Sequence, residues 1–360
     1  MSDTAILAAF RTPVAPRGGA LAGLDIHALA APVIRACLRH ADVAPHEIDE
    51  LILGNALGAG GNPARVAALA AGLHERVAGL TIDRQCVSGL DAVLLGDALI
   101  RAGRARLVLA GGAESYSRRP LRARGTAAAP RFYDRPAFAP PGMPDPDLAE
   151  AAAALARADG ITRDAMAAYA VASHASARAA DLTAELVAVA GLARDSFTRA
   201  LSSATAARAP LLCDPITTAT AAVAADGAAL LLLGPAHMAP DAPRIVGGCT
   251  LGGDPATPPL APLAAIQDTL SRAGVTPADL TAVEMMEAYA SQAMATVARC
   301  GIDPASVNRG GGALARGHPI GASGAVNAVR LVHELGRGPG LGLAAIAAAG
   351  GLGTALLLRA

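Results

Sequence analysis

LRHADVAPHEIDELILGNA (residues 38–56) and LSRAGVTPADLTAVEMMEA (residues 270–288) repeat one pattern in this 360-residue chain. Each copy ends a helix, turns at a proline that opens a short helical turn, and continues into a buried strand. The repeat predicts two equivalent halves in which strands alternate with helices. Such halves indicate an α/β fold with mixed or parallel sheets covered by helices. Chance similarity in an Ala-rich sequence is the alternative.

A second pair of segments supports the duplication. CVSG at residues 86–89 opens a helical stretch, which is followed by a strand and a Gly-Gly pair at 107–112. IGASG at residues 320–324 opens a similar stretch, followed by a strand and a Gly-Gly pair at 343–351. The agreement in order and spacing predicts that both helices occupy equivalent places in the two halves.

Other segments predict the remaining elements. Apolar runs at residues 5–9, 244–248 and 228–233 predict strands, and the first two are candidate equivalents in the repeat. Residues 147–180 are helical in composition, with a helix start signal at Thr162. The Arg- and Pro-rich segment 117–143 has no clear period and is interpreted as a long exposed loop.

Composition excludes several classes of protein. Thirty basic and thirty acidic residues give a formal net charge of zero, and aromatic residues make up only 2%. Neither attraction to phosphates nor base stacking is expected, so we predict no nucleic-acid partner. Five widely spaced cysteines without a CxxC pattern argue against a disulfide framework and a zinc site, and no metal is expected. The N-terminus has no signal-peptide pattern, which predicts a cytoplasmic protein.

The uncharged stretch 341–358 is long enough to cross a membrane. Glycines at positions 342, 350, 351 and 353 interrupt it, and apolar residues cluster on either side of the Gly-Gly pair. We therefore predict two buried strands joined by a tight glycine turn rather than a membrane helix, and no membrane partner.

Cys86 is the first candidate catalytic residue. It follows a strand-like run and precedes a helix, so its thiol is expected near the positive end of a helix dipole. That position predicts a lowered pKa and an accessible thiolate. A buried structural cysteine is the alternative interpretation.

The glycine-rich segment 308–324, NRGGGALARGHPIGASG, is the second candidate. Six glycines in seventeen residues are incompatible with a regular helix or strand interior. The segment holds His318 between Gly317 and Pro319, as expected of a turn that presents an imidazole. Because this segment occupies the place in the second half that Cys86 occupies in the first, we predict a Cys–His pair with an activated thiol.

With these residues in place, the chain resembles the thiolase family, the acetyl-CoA acyltransferases, over its whole length. The matching motifs are RTP at 11–13, GN at 54–55, NPAR at 62–65, CVSGLDAV at 86–93, AGGAESYS at 110–117, ADGAA at 225–229, MEAYA at 286–290, GGALARGHPIGASGA at 311–325 and GGLGTA at 350–355. The resemblance implies a duplicated five-layer αβαβα fold with an inserted loop domain. It places the first half of the N-terminal domain at 1–116, the insertion and the rest of that domain at 117–236, and the C-terminal domain at 237–360.

The resemblance also implies roles for individual residues. Cys86 corresponds to the nucleophile that takes an acyl group from acyl-CoA as a thioester, and His318 to the residue that activates it and binds the thioester oxygen. The backbone N–H groups of Cys86 and Ala349, in the turn that includes Gly350, correspond to an oxyanion hole. Met143 corresponds to a loop-domain methionine near the substrate.

The chain departs from the family pattern at three of the implied site positions. Ala347 stands where the family has a second catalytic cysteine, the acid/base of the carbon–carbon step. Met286 replaces the asparagine of the family pattern NEAFA, which holds a catalytic water. Ala222 replaces a serine near the pantetheine of CoA. Alanine cannot transfer a proton and methionine cannot hold that water, so the acylation half is better supported than the carbon–carbon step.

The resemblance therefore implies an acyltransferase that acts on acyl-CoA thioesters through an S-acyl cysteine, by 3-ketoacyl-CoA thiolysis or acetyl-CoA condensation. No permanently bound cofactor is implied, since CoA and acyl-CoA are substrates. A homodimer or homotetramer is expected. Two alternatives follow from Ala347 and Met286: a non-standard acyltransferase of the same superfamily, or an impaired subunit that only binds acyl-CoA.

Overall fold

The computed structural model describes residues 3–58, 60–336 and 338–360. The strands in these ranges are β1 (Thr4–Arg11), β2 (Ala15–Pro16), β3 (Glu50–Gly54), β4 (Leu80–Ile82), β5 (Val108–Ser115), β6 (Arg122–Thr126), β7 (Ala129–Tyr133), β8 (Leu211–Cys213), β9 (Ile216–Thr217), β10 (Ala225–Pro235), β11 (Arg244–Gly252), β12 (Leu280–Met285), β13 (Leu341–Ala348) and β14 (Leu352–Arg359). The α-helices are α1 (Ile26–Ala41), α2 (Pro63–Ala71), α3 (Ser88–Arg101), α4 (Leu148–Ala158), α5 (Arg163–Ala179), α6 (Ser203–Ala207), α7 (Pro262–Ala273), α8 (Ala290–Arg299), α9 (Ala313–Arg316) and α10 (Ile320–Leu335). Short 3-10 helices cover Pro45–Glu47, Thr183–Glu185, Ala236–Met238, Pro258–Leu260, Pro277–Asp279 and Pro304–Ser306.

The central sheet consists of two half-sheets joined edge to edge. Its strand order is β12-β13-β14-β11-β1-β10-β5-β3-β4, and β2 pairs with β10. The half-sheets meet where β1 and β11 pair at Ala5 and Arg244, next to a 2.9 Å hydrogen bond from the Ile6 N–H to the Pro243 carbonyl. This short contact joins two half-sheets whose strands pair in the same order.

The two half-sheets confirm the duplication predicted from the sequence. In the first, β3 and β5 are parallel, whereas β5–β10 and β10–β1 are antiparallel. In the second, β12 and β13 are parallel, whereas β13–β14 and β14–β11 are antiparallel. The prolines of the repeat open equivalent 3-10 turns, in which the Ala44 N–H donates to Glu47 (2.9 Å) and the Thr276 N–H donates to Asp279 (2.7 Å).

Helices complete five layers around these sheets, as predicted. α3 and α10 pack on each other, and each contacts strands of both half-sheets, so this pair forms the middle layer. α1 covers β1, β5 and β10 on one outer face, and α7 covers β11, β13 and β14 on the other. The apolar faces of the sheets are therefore buried between helices, as an α/β fold requires.

The region between β5 and β10 lies outside this duplicated scaffold. Helices are confirmed within residues 147–180, and Thr162 caps α5 by accepting a hydrogen bond from the Ala165 N–H. The interpretation of 117–143 as a loop is partly wrong, because β6 and β7 form an antiparallel hairpin. Both faces of this hairpin are largely exposed, so no apolar alternation marks its strands in the sequence.

The C-terminal uncharged stretch forms the two buried strands predicted for it. β13 and β14 pair along their whole lengths across a turn in which Gly350 and Gly351 have φ of 78° and 79°. These positive angles favour glycine at both positions. Within the described ranges, no helix has the length and apolar character needed to span a membrane.

Candidate active site

Cys86 lies in a tight turn between β4 and α3. The Ser88 hydroxyl accepts a hydrogen bond from the Arg84 N–H and donates one to the Gln85 carbonyl, both at 2.7 Å. Gln85 takes the left-handed conformation with φ of 55°, which is uncommon outside glycine. The serine thus fixes the backbone on either side of the thiol.

His318 projects from the glycine-rich segment just before α10. Its N–H donates to the Val223 carbonyl at 2.8 Å, and its Nδ1 lies 2.7 Å from the Ser323 hydroxyl. Its Nε2 lies 3.2 Å from the Cys86 Sγ. With Nδ1–H donated to Ser323, Nε2 is free to accept the thiol proton.

Close packing of α3 against α10 brings the two residues together. A Cβ added to Gly89 would lie 2.8 Å from the Gly321 carbonyl oxygen, and one added to Gly324 would lie 2.7 Å from the Leu90 nitrogen. Both distances are shorter than side chains tolerate, so glycine is needed at both contacts. The Ser-Gly pairs at the starts of the two helices therefore set the distance between Cys86 and His318.

A buried carboxylate holds the glycine-rich segment in place. Glu287 accepts hydrogen bonds from the Asn308 side chain (2.7 Å), the Ser173 hydroxyl (2.8 Å) and the Leu314 N–H (3.1 Å). Asn308 in turn exchanges two hydrogen bonds with the backbone of Met285. These contacts offset the conformational entropy lost when so many glycines become ordered.

A second buried carboxylate, Glu114, links the two halves beside the site. It accepts hydrogen bonds from the Asn55 side chain (2.6 Å), the Ala56 N–H (2.9 Å) and the Gly321 N–H (3.1 Å). Burial raises the pKa of Glu114 to about 7, in opposition to the backbone hydrogen bonds from Ala56 and Gly321. Glu114 therefore fixes the start of α10, three residues after His318.

The expected low pKa of Cys86 is wrong. Burial raises the pKa of the thiol to about 12, with further increases from Glu114 and Asp83, whereas backbone hydrogen bonds from Cys86 and Ala349 lower it. The start of α3, two residues after Cys86, does not offset this loss of water contacts. Burial likewise lowers the pKa of His318 to about 4. The resting pair is therefore a neutral thiol beside a neutral imidazole.

The thiol opens onto a small apolar cavity of about 100 Å³. The cavity brings together five residues predicted for the site, which are Cys86, Ala222, His318, Ala347 and Ala349. The remaining lining residues are Leu148, Pro258, Pro259, Ala288, Tyr289 and Ala348. Sequence reasoning gave no role to Tyr289 or Ser323, because only the tertiary contacts show which side chains reach the reacting pair.

Three predicted residues lie outside this lining. Gly350 forms the adjacent turn, where an added Cβ would be 3.1 Å from the Phe138 carbonyl oxygen. Met286 is 1% exposed and belongs to the core cluster, and Met143 is 52% exposed in the insertion. The assignment of Met143 and Met286 to substrate binding, and of Gly350 to the oxyanion turn, stays a prediction. In the described ranges, no cluster of three His, Cys, Asp or Glu side chains is arranged to hold a metal ion.

Comparisons with known proteins cover the whole chain. Family models described as thiolase, N-terminal domain, and thiolase, C-terminal domain, match residues 4–236 and 239–360. The Bacillus subtilis protein YhfS, whose name marks it as a candidate acetyl-CoA C-acetyltransferase, is 38% identical over 99% of each chain. An acetyl-CoA acetyltransferase of Cupriavidus necator is 37% identical over 100% of both chains. The crystal structure of the Bacillus anthracis acetyl-CoA acetyltransferase is similar with a TM-score of 0.89 at 30% identity, covering 100% of this chain and 99% of that chain.

Proposed function

Since the chain belongs to the thiolase family and is an acyltransferase, we propose that it moves acyl groups between CoA thioesters through an S-acyl intermediate on Cys86. The observation that carries this proposal is the 3.2 Å contact between His318 Nε2 and Cys86 Sγ. This separation is within reach of direct proton transfer from the thiol to the imidazole. The substrate is an acyl-CoA, and no permanently bound cofactor takes part.

In the acylation step, His318 removes the thiol proton as the sulfur attacks the thioester carbon. The neutral resting pair suits this order of events, because the thiolate then forms only when an electrophile is in contact. Ser323 keeps the Nδ1 proton in place while Nε2 receives the second proton. CoA leaves, and the acyl group stays on Cys86.

Two backbone N–H groups support the negative oxygen that forms during this attack. These are the N–H groups of Cys86 and Ala349, which lower the pKa of the thiol. Both are fixed by neighbouring turns, since Gly350 and Gly351 orient the Ala349 peptide. Preorganised donors of this kind stabilise an oxyanion without reorganising as the charge develops.

The lining of the cavity supports acylation more strongly than the usual carbon–carbon chemistry. Ala222 and Ala347 contribute only methyl groups to it. We propose that they contact the acyl group or the adjoining part of CoA. Ala347 occupies the position of the second cysteine in the family pattern, so the carbon–carbon step in thiolysis or condensation needs another acid/base.

Intact mass spectrometry after incubation with acetyl-CoA tests the proposal. We expect the added mass of one acetyl group on the parent protein and none on Cys86→Ala. Mutation of another cysteine, Cys213→Ala, is the matched control and should leave the adduct unchanged. Absence of an adduct on the parent, or its persistence in Cys86→Ala, would overturn the nucleophile assignment.

A second candidate function is acyl-CoA binding without turnover, as a subunit of an acyltransferase complex. The observation that favours it is the methyl group of Ala347 at the position of the missing acid/base. Calorimetric binding of acetyl-CoA with no acyl adduct would support this function over the first.

Assembly and location are part of the same proposal. We expect a homodimer or homotetramer in the cytoplasm. Val66 and Leu69 on α2 and Leu80 on β4 are exposed apolar side chains beside the edge strand of the sheet, where a second copy would cover them. Sedimentation analysis of the parent and Leu69→Glu tests this surface, because a charged residue at the contact should shift the protein toward monomer.

A further inference from the structure

Among the described residues that line the active-site cavity, three side chains are ionisable: Cys86, Tyr289 and His318. The other eight are alanine, leucine and proline. After acyl transfer, Cys86 is a thioester and His318 holds the proton that it removed. Tyr289 is then the one ionisable side chain of this lining that the acylation step does not use.

The backbone holds Tyr289 firmly beside the reacting pair. It is the residue before α8, and its backbone pairs with that of Ala221. The next pair of residues, Ala222 and Ala288, share a 2.9 Å hydrogen bond and both line the cavity. Two paired antiparallel segments therefore hold Tyr289 at the lining of the cavity.

The Tyr289 hydroxyl differs from that of the other largely buried tyrosine. The Tyr169 hydroxyl donates to Glu287 at 3.2 Å. For Tyr289, the described part of the chain provides no hydrogen-bond partner, and the oxygen is not sealed from solvent. Its proton is not engaged in a structural contact, which leaves it available to a bound substrate.

We propose that Tyr289 is the acid/base of the carbon–carbon step and performs the proton transfers for which Ala347 lacks a functional group. This inference rests on the proposed function, since it requires an acyl acceptor at Cys86. The substrate class is a 3-ketoacyl-CoA whose C2 carbon reaches Tyr289 while its C3 carbonyl carbon lies against Cys86.

The proton and electron balance of thiolysis is complete with these three side chains. Cys86 gives its proton to His318, and the sulfur bonds to C3 of the substrate. The C2–C3 bond breaks, its electron pair moves onto the acetyl-CoA enolate, and the Tyr289 hydroxyl protonates C2. The phenolate recovers a proton from the His318 imidazolium. Neutral His318 then removes the proton of incoming CoA, whose sulfur attacks the acyl group, and passes that proton to the departing Cys86 sulfur.

The phenol is in the protonation state that thiolysis needs. Burial, followed by the negative charge of Asp147, raises the pKa of Tyr289. The hydroxyl is therefore fully protonated at neutral pH and ready to protonate an enolate. Condensation uses the same group in the reverse sense, with the phenolate removing the C2 proton of acetyl-CoA.

The test measures two steps separately in the parent, Tyr289→Phe and the double variant Tyr289→Phe/Ala347→Cys. Phenylalanine keeps the ring and is the residue in the family pattern NEAFA. We expect Tyr289→Phe to lower thiolysis of acetoacetyl-CoA by about 10²- to 10⁴-fold, while acetyl-CoA still acylates Cys86 at nearly the parental rate. The cysteine of the double variant should restore thiolysis at least tenfold over Tyr289→Phe.

Tyr133→Phe, on the exposed hairpin, is the matched control and should retain parental rates for both steps. Thiolysis by Tyr289→Phe within about threefold of the parent would overturn the inference. A parent that acylates Cys86 but has no thiolysis would also overturn it and would leave the proposed function intact. A parent that fails to acylate would instead remove the proposed function itself. A loss of both steps in Tyr289→Phe that Ala347→Cys does not reverse would assign Tyr289 a structural role.

Discussion

The starts of α3 and α10 occupy equivalent places in the two halves but present their reactive side chains differently. Gly89 contacts the main chain of α10, and Gly324 contacts that of α3, so the two Ser-Gly pairs are equivalent points. Cys86 lies two residues before Ser88, whereas His318 lies five residues before Ser323. The backbone position equivalent to Cys86 is Gly321, whose N–H donates to Glu114.

The difference shows how a symmetric scaffold gives an asymmetric site. The contact between α3 and α10 brings the two chain segments together. A proton acceptor two residues before Ser323, the position equivalent to Cys86, would lie at Gly321 rather than beside the sulfur. The glycine-rich segment supplies the extra residues that carry His318 to 3.2 Å from Cys86. The first segment is held by the Ser88 hydroxyl and by Asp83, which accepts from the Gln85 N–H, whereas the second needs the buried Glu287 network.

The largest expected effect comes from removing the base that the second half supplies. His318→Ala should lower the rate of Cys86 acylation by about 10²- to 10⁴-fold, because His318 is the hydrogen-bond partner of the sulfur among the described residues. Stopped acylation reactions with acetyl-CoA, read by intact mass, measure the rate. His333→Gln, on the same helix but outside the cavity, is the control. A rate within tenfold of the parent would show that His318 is not the base.

The next largest effect is the pH dependence of Cys86 reactivity, which follows from the neutral state of Cys86 and His318. The pKa of Cys86 is raised to about 12, so the thiolate fraction of the free protein grows about tenfold per pH unit between pH 7 and 9. Alkylation of Cys86 by iodoacetamide, followed by peptide mass mapping, should rise with that slope, or about 100-fold over the two units. A rate that stays level across neutral pH would indicate a preformed thiolate–imidazolium pair and contradict the neutral state.

The sequence predicts the duplicated scaffold well because burial marks it. β10, β13 and β14 are almost wholly buried, so their apolar runs predict strands, and the Gly350-Gly351 pair predicts the turn. The β6–β7 hairpin cannot be predicted from the sequence, because both of its faces are exposed and its strands show no alternation of apolar and polar residues. The pKa of Cys86 is missed for the opposite reason, because desolvation arises from chain segments remote in sequence.

A smaller effect is expected from the contact that the two halves share. Gly324→Ala places a methyl group 2.7 Å from the Leu90 nitrogen, which should separate α3 from α10 and lower the free energy of unfolding by about 1 to 3 kcal/mol. Urea denaturation measures the change. Gly336→Ala, at the other end of α10, is the control because the nearest described neighbour of its added Cβ, the Val332 carbonyl oxygen, would be 3.5 Å away. Equal stability of the two variants would show that the close helix contact is not needed.

The smallest expected effects come from replacing the two equivalent serines, Ser323 and Ser88. Ser323 contacts the imidazole of His318, whereas Ser88 contacts only the backbone around Cys86. Losing one hydrogen bond costs about 0.5 to 1.5 kcal/mol, so Ser323→Ala should slow acylation by about three- to tenfold with little change in KM for acetyl-CoA. Ser88→Ala should instead lower the free energy of unfolding by a similar amount, because its hydroxyl satisfies the turn that carries the thiol.

Parallel acylation kinetics and urea denaturation on the two serine variants test this division. If Ser323→Ala loses stability but not rate, the hydroxyl is a packing contact, and the orientation of His318 comes from Gly317 and Pro319 alone. If Ser88→Ala slows acylation without lowering the free energy of unfolding, the turn positions the sulfur more strictly than its hydrogen bonds indicate. A reversal of both results would mean that equivalent positions in the two halves keep equivalent roles, and that the asymmetry of the site lies only in the length of the segment that carries His318.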